Sequence, residues 1–122
     1  MSSYFYDSYA IIEYLNGNLN YKKYFIELDG VTTLYNVMEV YYSVLNEEGE
    51  EKAKEILKLL KPIIIYPKVK DAEVAMKFRF KHKKKKYSYA DCLGYVMAKR
   101  MKYKFLTGDE GFRGVTNVEF VK

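Results

Sequence analysis

The sequence predicts an α/β fold, a three-layer α/β/α sandwich around a central, mostly parallel sheet. Three observations lead there. Short apolar runs alternate with stretches of helical period along the whole chain, the pattern of strands joined by helical crossovers. The run "IIIY" at 63–66 is continuously apolar and stands before Pro67, as expected of a strand covered on both faces. No internal repeat and no Ser/Pro/Gly linker divides the 122 residues, so residues 1–122 form one domain.

The elements follow in order. "SYFYD" at 3–7 is a β-type aromatic run ending in Asp7. "SYAIIEYLNG" places Ile11, Ile12 and Leu15 at helical spacing and stops at Asn16-Gly17. "YKKYFIELDG" is a short amphipathic stretch ending at Gly30, and "VTTLYN" supplies a strand at 31–33. Leu34, Val37, Met38, Tyr41, Val44 and Leu45 recur at three- and four-residue steps, which is a helix. "EEKAKEILKLLKP" is a second, strongly amphipathic helix closed by Pro62. After "IIIY" come two helices, "DAEVAMKFRFKH" and "SYADCLGYVMAKRMK", and two strands, "KFLTG" and "VEFV". The predicted order is β-α-α-β-α-α-β-α-α-β-β.

Composition removes whole classes of chemistry. One cysteine, Cys92, excludes an internal disulfide, and with His82 the single histidine, a Cys/His zinc site is excluded too. His82 lies inside "RFKHKKKKY", a poor place to hold an imidazole at a fixed angle for triad chemistry. No apolar run approaches the ~20 residues of a membrane span. The N-terminus lacks the basic and apolar regions of a signal peptide. The expectation is a soluble, cytoplasmic protein whose catalysis, if any, rests on carboxylates.

Four acids stand out. Asp7 and Asp109 follow strands at their carboxyl ends; Asp91 opens a helix in "SYAD"; Glu39 is the only charge between Leu34 and Leu45. Each has a plain reading. Asp7 serves as a helix N-cap, Asp91 as the acid of a capping box with Ser88, Asp109 as a turn residue and Glu39 as part of a solvated face. Together they have another. In a parallel sheet these positions converge on one edge, where sites form. Clustered carboxylates raise one another's pKa, and a divalent cation relieves the repulsion. An oxygen-only donor set suits Mg²⁺ or Mn²⁺.

The series "YDSYAIIEYL", "LYNVMEVYYSVL" and "SYADCLGYVMAKRMKYKFLTGDEGF" resembles the PIN-domain family, in particular its small VapC-type toxin ribonucleases. The resemblance runs from Tyr4 to about Val121. It implies a five-stranded sheet in order 3-2-1-4-5 flanked by helices, and metal-dependent hydrolysis of RNA phosphodiesters. It places the family's acids on Asp7, Glu39, Asp91 and Asp109, with supporting polar groups at Ser8, Asn36, Ser88 and Thr107. Asp7, Asp91 and Asp109 are then expected to hold the metal directly, and Glu39 to act through water. It also implies an endoribonuclease that is the toxin of a toxin–antitoxin pair, with an antitoxin protein as partner and a homodimer built on the tyrosine-rich helix and the face of "AKEILKLL". The alternative is a PIN-like module that binds RNA without hydrolysing it. A phosphoacceptor receiver-like domain fits poorly, because it needs an acidic pair after the first strand and only Asp7 stands there.

The net charge of +5 is concentrated in "KFRFKHKKKKY". Lys81, Lys83, Lys84, Lys85 and Lys86 are either a solvated helix end or an arm that tracks RNA phosphates beside Asp91. Tyr87 and Tyr89 are candidates for stacking on bases.

Overall fold

The computed structural model describes residues 3–122. β1 (Tyr4–Tyr6) leads into α1 (Ser8–Leu15); a 3₁₀ turn, Leu19–Tyr21, leads into the single turn of α2 (Lys22–Phe25). β2 (Thr32–Thr33) runs straight into α3 (Leu34–Glu48), followed by α4 (Glu50–Leu60), a 3₁₀ turn Lys61–Ile63 and β3 (Ile64–Ile65). Then come α5 (Val69–Lys81), a 3₁₀ turn Lys83–Lys85, α6 (Tyr89–Met101), β4 (Lys104–Thr107), a 3₁₀ turn Glu110–Phe112 and β5 (Val118–Phe120). The order of helices and strands is the one read from periodicity.

All strand pairs are parallel. β4 lies between β1 and β5, with Phe5 opposite Phe105 and Phe105 opposite Val118; β2 pairs with β3, with Thr33 opposite Ile65. One parallel bridge, Phe5 to Val31, joins the two pieces, so the order across the molecule is β3-β2-β1-β4-β5. The expected five-stranded ladder is thus continuous in order but split in hydrogen bonding into three strands and two. The reason is local. Val31 bonds Tyr4 and Tyr6 through its own N–H and C=O, and then Thr32 turns its hydroxyl onto the Tyr6 carbonyl at 2.8 Å. A side chain takes over where the backbone ladder stops, because the chain must leave the sheet to start α3 at Thr33.

Alternation along the strands builds two cores, one on each face of the sheet. Phe5 and Phe105 point toward α5 and α6, where Ala75, Tyr95, Met97 and Phe112 complete the packing. Tyr6 and Leu106 point the other way, onto Ile11, Val37, Val40, Ile56 and Leu60 of α1, α3 and α4. Each fully buried Phe or Leu contributes roughly 2–3 kcal/mol of hydrophobic transfer. Gly49, at φ +92°, lets α3 fold back into α4, and this buries the apolar face Ala53, Ile56, Leu60 within the subunit.

Two expectations change. The run 63–66 meets a core on each face but is shorter and shallower than expected: only Ile64 and Ile65 are extended, both are half-buried, and Tyr66 is exposed. It is an edge strand: Ile64 packs onto the core of α1, α3 and α4 and Ile65 onto that of α5 and α6, and the open edge leaves both half-buried. The second helix ends at Leu60, before Pro62, which sits inside the following 3₁₀ turn. One strong tie was not expected at all. Asp71, buried near the start of α5, accepts Nε and Nη2 of Arg100 on α6 at 2.7 and 2.9 Å, and its Oδ2 also accepts the Lys68 N–H at 2.8 Å.

Candidate active site

The carboxyl edge of the sheet collects the four acids, each delivered by a different local device. β1 ends at Tyr6, and Asp7 takes the extended N-cap position of α1. Its side chain does not cap the helix, so the plain reading fails there. Oδ2 of Asp7 instead accepts the Thr107 hydroxyl of β4 at 2.6 Å, and the residue is only 3 % exposed. Asp91 keeps the capping-box reading. Ser88 Oγ accepts the Asp91 N–H at 3.0 Å, and Asp91 Oδ2 accepts the Ser88 N–H at 2.9 Å. Asp109 keeps its turn reading as well: Oδ1 accepts the Gly111 N–H at 3.0 Å, capping the 3₁₀ turn. Glu39, one turn into α3, is exposed and accepts the Ser8 hydroxyl at 2.9 Å.

A chain of hydroxyls and one amide sets these groups. Thr33, the N-cap of α3, donates its hydroxyl to Asn36 Oδ1 at 2.6 Å; Asn36 Nδ2 donates to Ser8 Oγ at 2.9 Å; Ser8 donates to Glu39. Asn36 is fully buried, so this polar path is fixed inside the packing of α1 against α3. Thr33 is the member that sequence reading missed. Its signal was available, a threonine three residues before Asn36 at a helix start. Thr107 serves two acids: it donates to Asp7 and accepts the Asp109 N–H at 3.1 Å. Gly108 between them leaves no room for a side chain, since a Cβ there would meet the Val121 carbonyl, the Tyr9 ring and the Tyr21 hydroxyl. The glycine between Thr107 and Asp109 is therefore required by α1, the 3₁₀ turn before α2 and the residue after β5 closing over the end of β4.

Electrostatics shows that the acids share one field. Burial, then the charge of Asp91 and more weakly that of Glu39, pushes the Asp7 carboxyl up to about 7, against the lowering effect of Thr107 and the Ser8 N–H. Burial and the charge of Asp109 raise Asp91 above the usual carboxylate range, although its bonds to Ser88 oppose the shift. Burial and Asp91 likewise raise Glu39, against the Ser8 hydroxyl. As the side chains stand, no three His, Cys, Asp or Glu groups among the described residues form a ready-made metal cage. The donor set is nonetheless the one a hard divalent cation prefers: carboxylate oxygens only, held in mutual repulsion that a cation relieves.

Around this edge the structure sorts the remaining candidates. Lys81 ends α5, Lys83, Lys84 and Lys85 form the 3₁₀ turn, and Lys86 adopts a left-handed conformation; all five are exposed. Of the two tyrosines proposed for stacking, Tyr87 is withdrawn. It is buried, stacked on Phe112 and Phe78, and its hydroxyl donates to the Gly111 carbonyl at 2.6 Å. Tyr89 is exposed.

The family model described as PIN domain matches residues 4–118. No curated protein sequence matches the chain. Among solved structures, a toxin-antitoxin complex from Klebsiella pneumoniae superposes with a TM-score of 0.75 at 19% identity, covering 96% of this chain and 96% of that one. VapC20 of Mycobacterium tuberculosis, described as a sarcin-ricin loop cleaving toxin, superposes with a TM-score of 0.73 at 16% identity, covering 96% of this chain and 99% of that one. The fold, the strand order and the family match over nearly the whole length agree, and the chain belongs to the PIN domain family.

Proposed function

We propose that the protein is a metal-dependent endoribonuclease that hydrolyses RNA phosphodiesters in the cytoplasm, as the toxin of a toxin–antitoxin pair. The observation that carries the reading is Asp7: a buried carboxylate at a strand end, loaded with the charge of Asp91 and Glu39 and supported by Thr107. A cation held there would offset the burial cost and the repulsion that raise this carboxyl. Asp7, Asp91 and Asp109 would hold Mg²⁺ or Mn²⁺, with Glu39 reaching it through water. The bound cation would offset the clustered charge, polarise the phosphodiester and acidify a water. Glu39, its pKa raised and its Oε1 fixed by Ser8, is suited to take a proton from the attacking water. Ser88 and Thr107 hold Asp91 and Asp7 in place, and Asn36 holds Ser8. The relatedness to toxin folds, one of them solved as a toxin-antitoxin complex, supports an antitoxin partner for this chain.

Incubation with a mixed RNA pool tests the reading: cleavage is expected in Mg²⁺ or Mn²⁺ and none in EDTA. The second reading, an RNA-binding module without hydrolysis, draws on Asp91 and Asp109 each giving an oxygen to a cap. RNA that binds but stays intact with either metal would favour it.

The lysine cluster is the proposed RNA-tracking arm. None of Lys81, Lys83, Lys84, Lys85 and Lys86 is in an ion pair among the described residues, so their charge is free for phosphate. Changing Lys83, Lys84, Lys85 and Lys86 to Ala is expected to weaken RNA binding and flatten its salt dependence by about 3 units of slope. Turnover at saturating RNA is expected to stay nearly unchanged. An unaltered slope would make the cluster a solvated face.

A homodimer is proposed as well, on a narrower surface than the sequence suggested. The apolar face of α4, Ala53, Ile56 and Leu60, is buried inside the subunit, whereas α3 turns Tyr42 and Leu45 outward. Light scattering at micromolar concentration is expected to give twice the 14.5 kDa chain mass, and a single monomeric species would defeat the proposal.

A further inference from the structure

Beside the acids lies a groove of about 600 Å³, well within the range of small-ligand sites. Its floor is apolar, with Met38, Ala72, Ala75, Met76 and Leu93 from α3, α5 and α6. Its rim carries two tyrosines, Tyr35 and Tyr89, and two polar groups of the acid edge, Glu39 and Ser88. Tyr89 is 67 % exposed, and it lines the groove. The ring is not left to wander: the Arg79 guanidinium lies over it, 4.8 Å from its centroid, and Arg79 Nε is anchored on the Tyr87 carbonyl at 2.9 Å. Past Arg79 a second, cationic pocket of about 440 Å³ is lined by Arg79, Lys83, Lys86 and Tyr87. The Arg79–Tyr89 stack is therefore the wall between an apolar slot and a cationic one.

We propose that this pair of pockets binds one unpaired nucleotide of single-stranded RNA, the base in the apolar groove against Tyr89 and a neighbouring phosphate in the Arg79–Lys83–Lys86 pocket. The inference rests on the ribonuclease reading above and adds to it a base-binding element that selects single strands. The match is one of charge and shape. A nucleotide has one flat apolar face and one anion, and the two pockets offer an aromatic surface and three cations on either side of a single stack. Bases paired in a duplex cannot enter the slot, so the site favours loops and unpaired ends. Glu39 and Ser88 on the rim are within the same groove, so a base seated there leaves its phosphates beside the acids.

The chain contains no tryptophan, so Tyr89→Trp places a single indole reporter at the wall. In EDTA, a short oligoadenylate is expected to quench Trp emission in Y89W. A strand of the same length with abasic nucleotides should bind without quenching. Tyr89→Ala should weaken oligoadenylate binding about 5- to 150-fold and leave the abasic strand unaffected, with Tyr89→Phe close to wild type. Equal quenching by both strands, or binding of oligoadenylate with no quenching, would overturn the base site while leaving RNA binding intact. Failure of wild type to bind either strand would instead sink the ribonuclease reading beneath it. Quenching by an acidic amphipathic peptide, with none by oligoadenylate, would assign the groove to a protein partner and overturn the proposal.

Discussion

Asp7→Asn is expected to make the metal-free protein more stable at neutral pH and to lower RNA cleavage by orders of magnitude. The Asp7 carboxyl is raised to about 7, chiefly by burial, against an unfolded value near 4. A raised acid keeps its full contribution to stability below the unfolded pKa and loses it as pH rises through the folded one. Wild type in EDTA should therefore weaken between about pH 4 and pH 7 by on the order of 4 kcal/mol and then level off. Asparagine resembles the protonated acid, with an oxygen for the Thr107 hydroxyl and no charge beside Asp91 and Glu39. The melting curves of the two proteins should meet in acid and separate toward neutrality. Mn²⁺ should stabilise wild type by mass action and the variant far less, so the gap narrows or reverses. Identical pH profiles and equal metal-induced shifts would remove Asp7 from any cation site. Asp109→Asn should behave differently, because asparagine also caps the turn at Gly111. Its metal-free stability should hardly move, while its metal-induced shift and its cleavage are lost.

Arg100→Ala is expected to cost about 3 kcal/mol, by leaving the Asp71 carboxylate buried with only the Lys68 N–H. For a chain of this size that corresponds to a fall in Tm of roughly 10 °C. Arg100 is itself partly exposed, with 38 % of its side chain accessible, so the effect comes from the stranded acid and not from the lost guanidinium packing. The bonds to Arg100 hold the Asp71 pKa below the usual carboxylate range. A lowered acid contributes stability above the unfolded pKa and loses it as pH falls through the folded one. The difference between wild type and variant should thus be full at pH 7 and shrink below about pH 4. Arg100→Lys should recover part of it, since an ammonium makes one bond where the guanidinium fork makes two. Urea melts at pH 7 that differ by less than about 1 kcal/mol would mean that water replaces the arginine at Asp71. Metal response and RNA binding should not change, because the pair ties α5 to α6 away from the acid edge.

Local signals in the chain were enough for the element order. Period-2 and period-3.6 patterns, the Asn16-Gly17 stop, the Ser88-x-x-Asp91 box and the strand ending in Thr107-Gly108-Asp109 all depend on neighbours a few residues apart. The same short range explains the misreading of 63–66. Four apolar residues in a row look alike whether a strand is central or at an edge, and only the position of β3 beyond β2 decides how deeply they are buried. Tyr87 and Tyr89 make the point again. Two residues apart, they read alike as candidates for base stacking, yet one ring is locked between Phe78 and Phe112 and the other stands at the groove.

By itself, then, the sequence determined the α/β class and the order of the elements, and it singled out the four acids as candidates. Tertiary structure alone decided which of the acids bears the strain. Asp7 and Thr107 are 100 positions apart, Ser8 and Glu39 are 31 apart, and Asp71 and Arg100 are 29 apart. Burial and through-space charge depend on distances set by strand order and helix packing, and no pattern within one element carries them. That is why the capping role of Asp91 was legible in four residues, while the loss of Asp7's cap in favour of Thr107 was not.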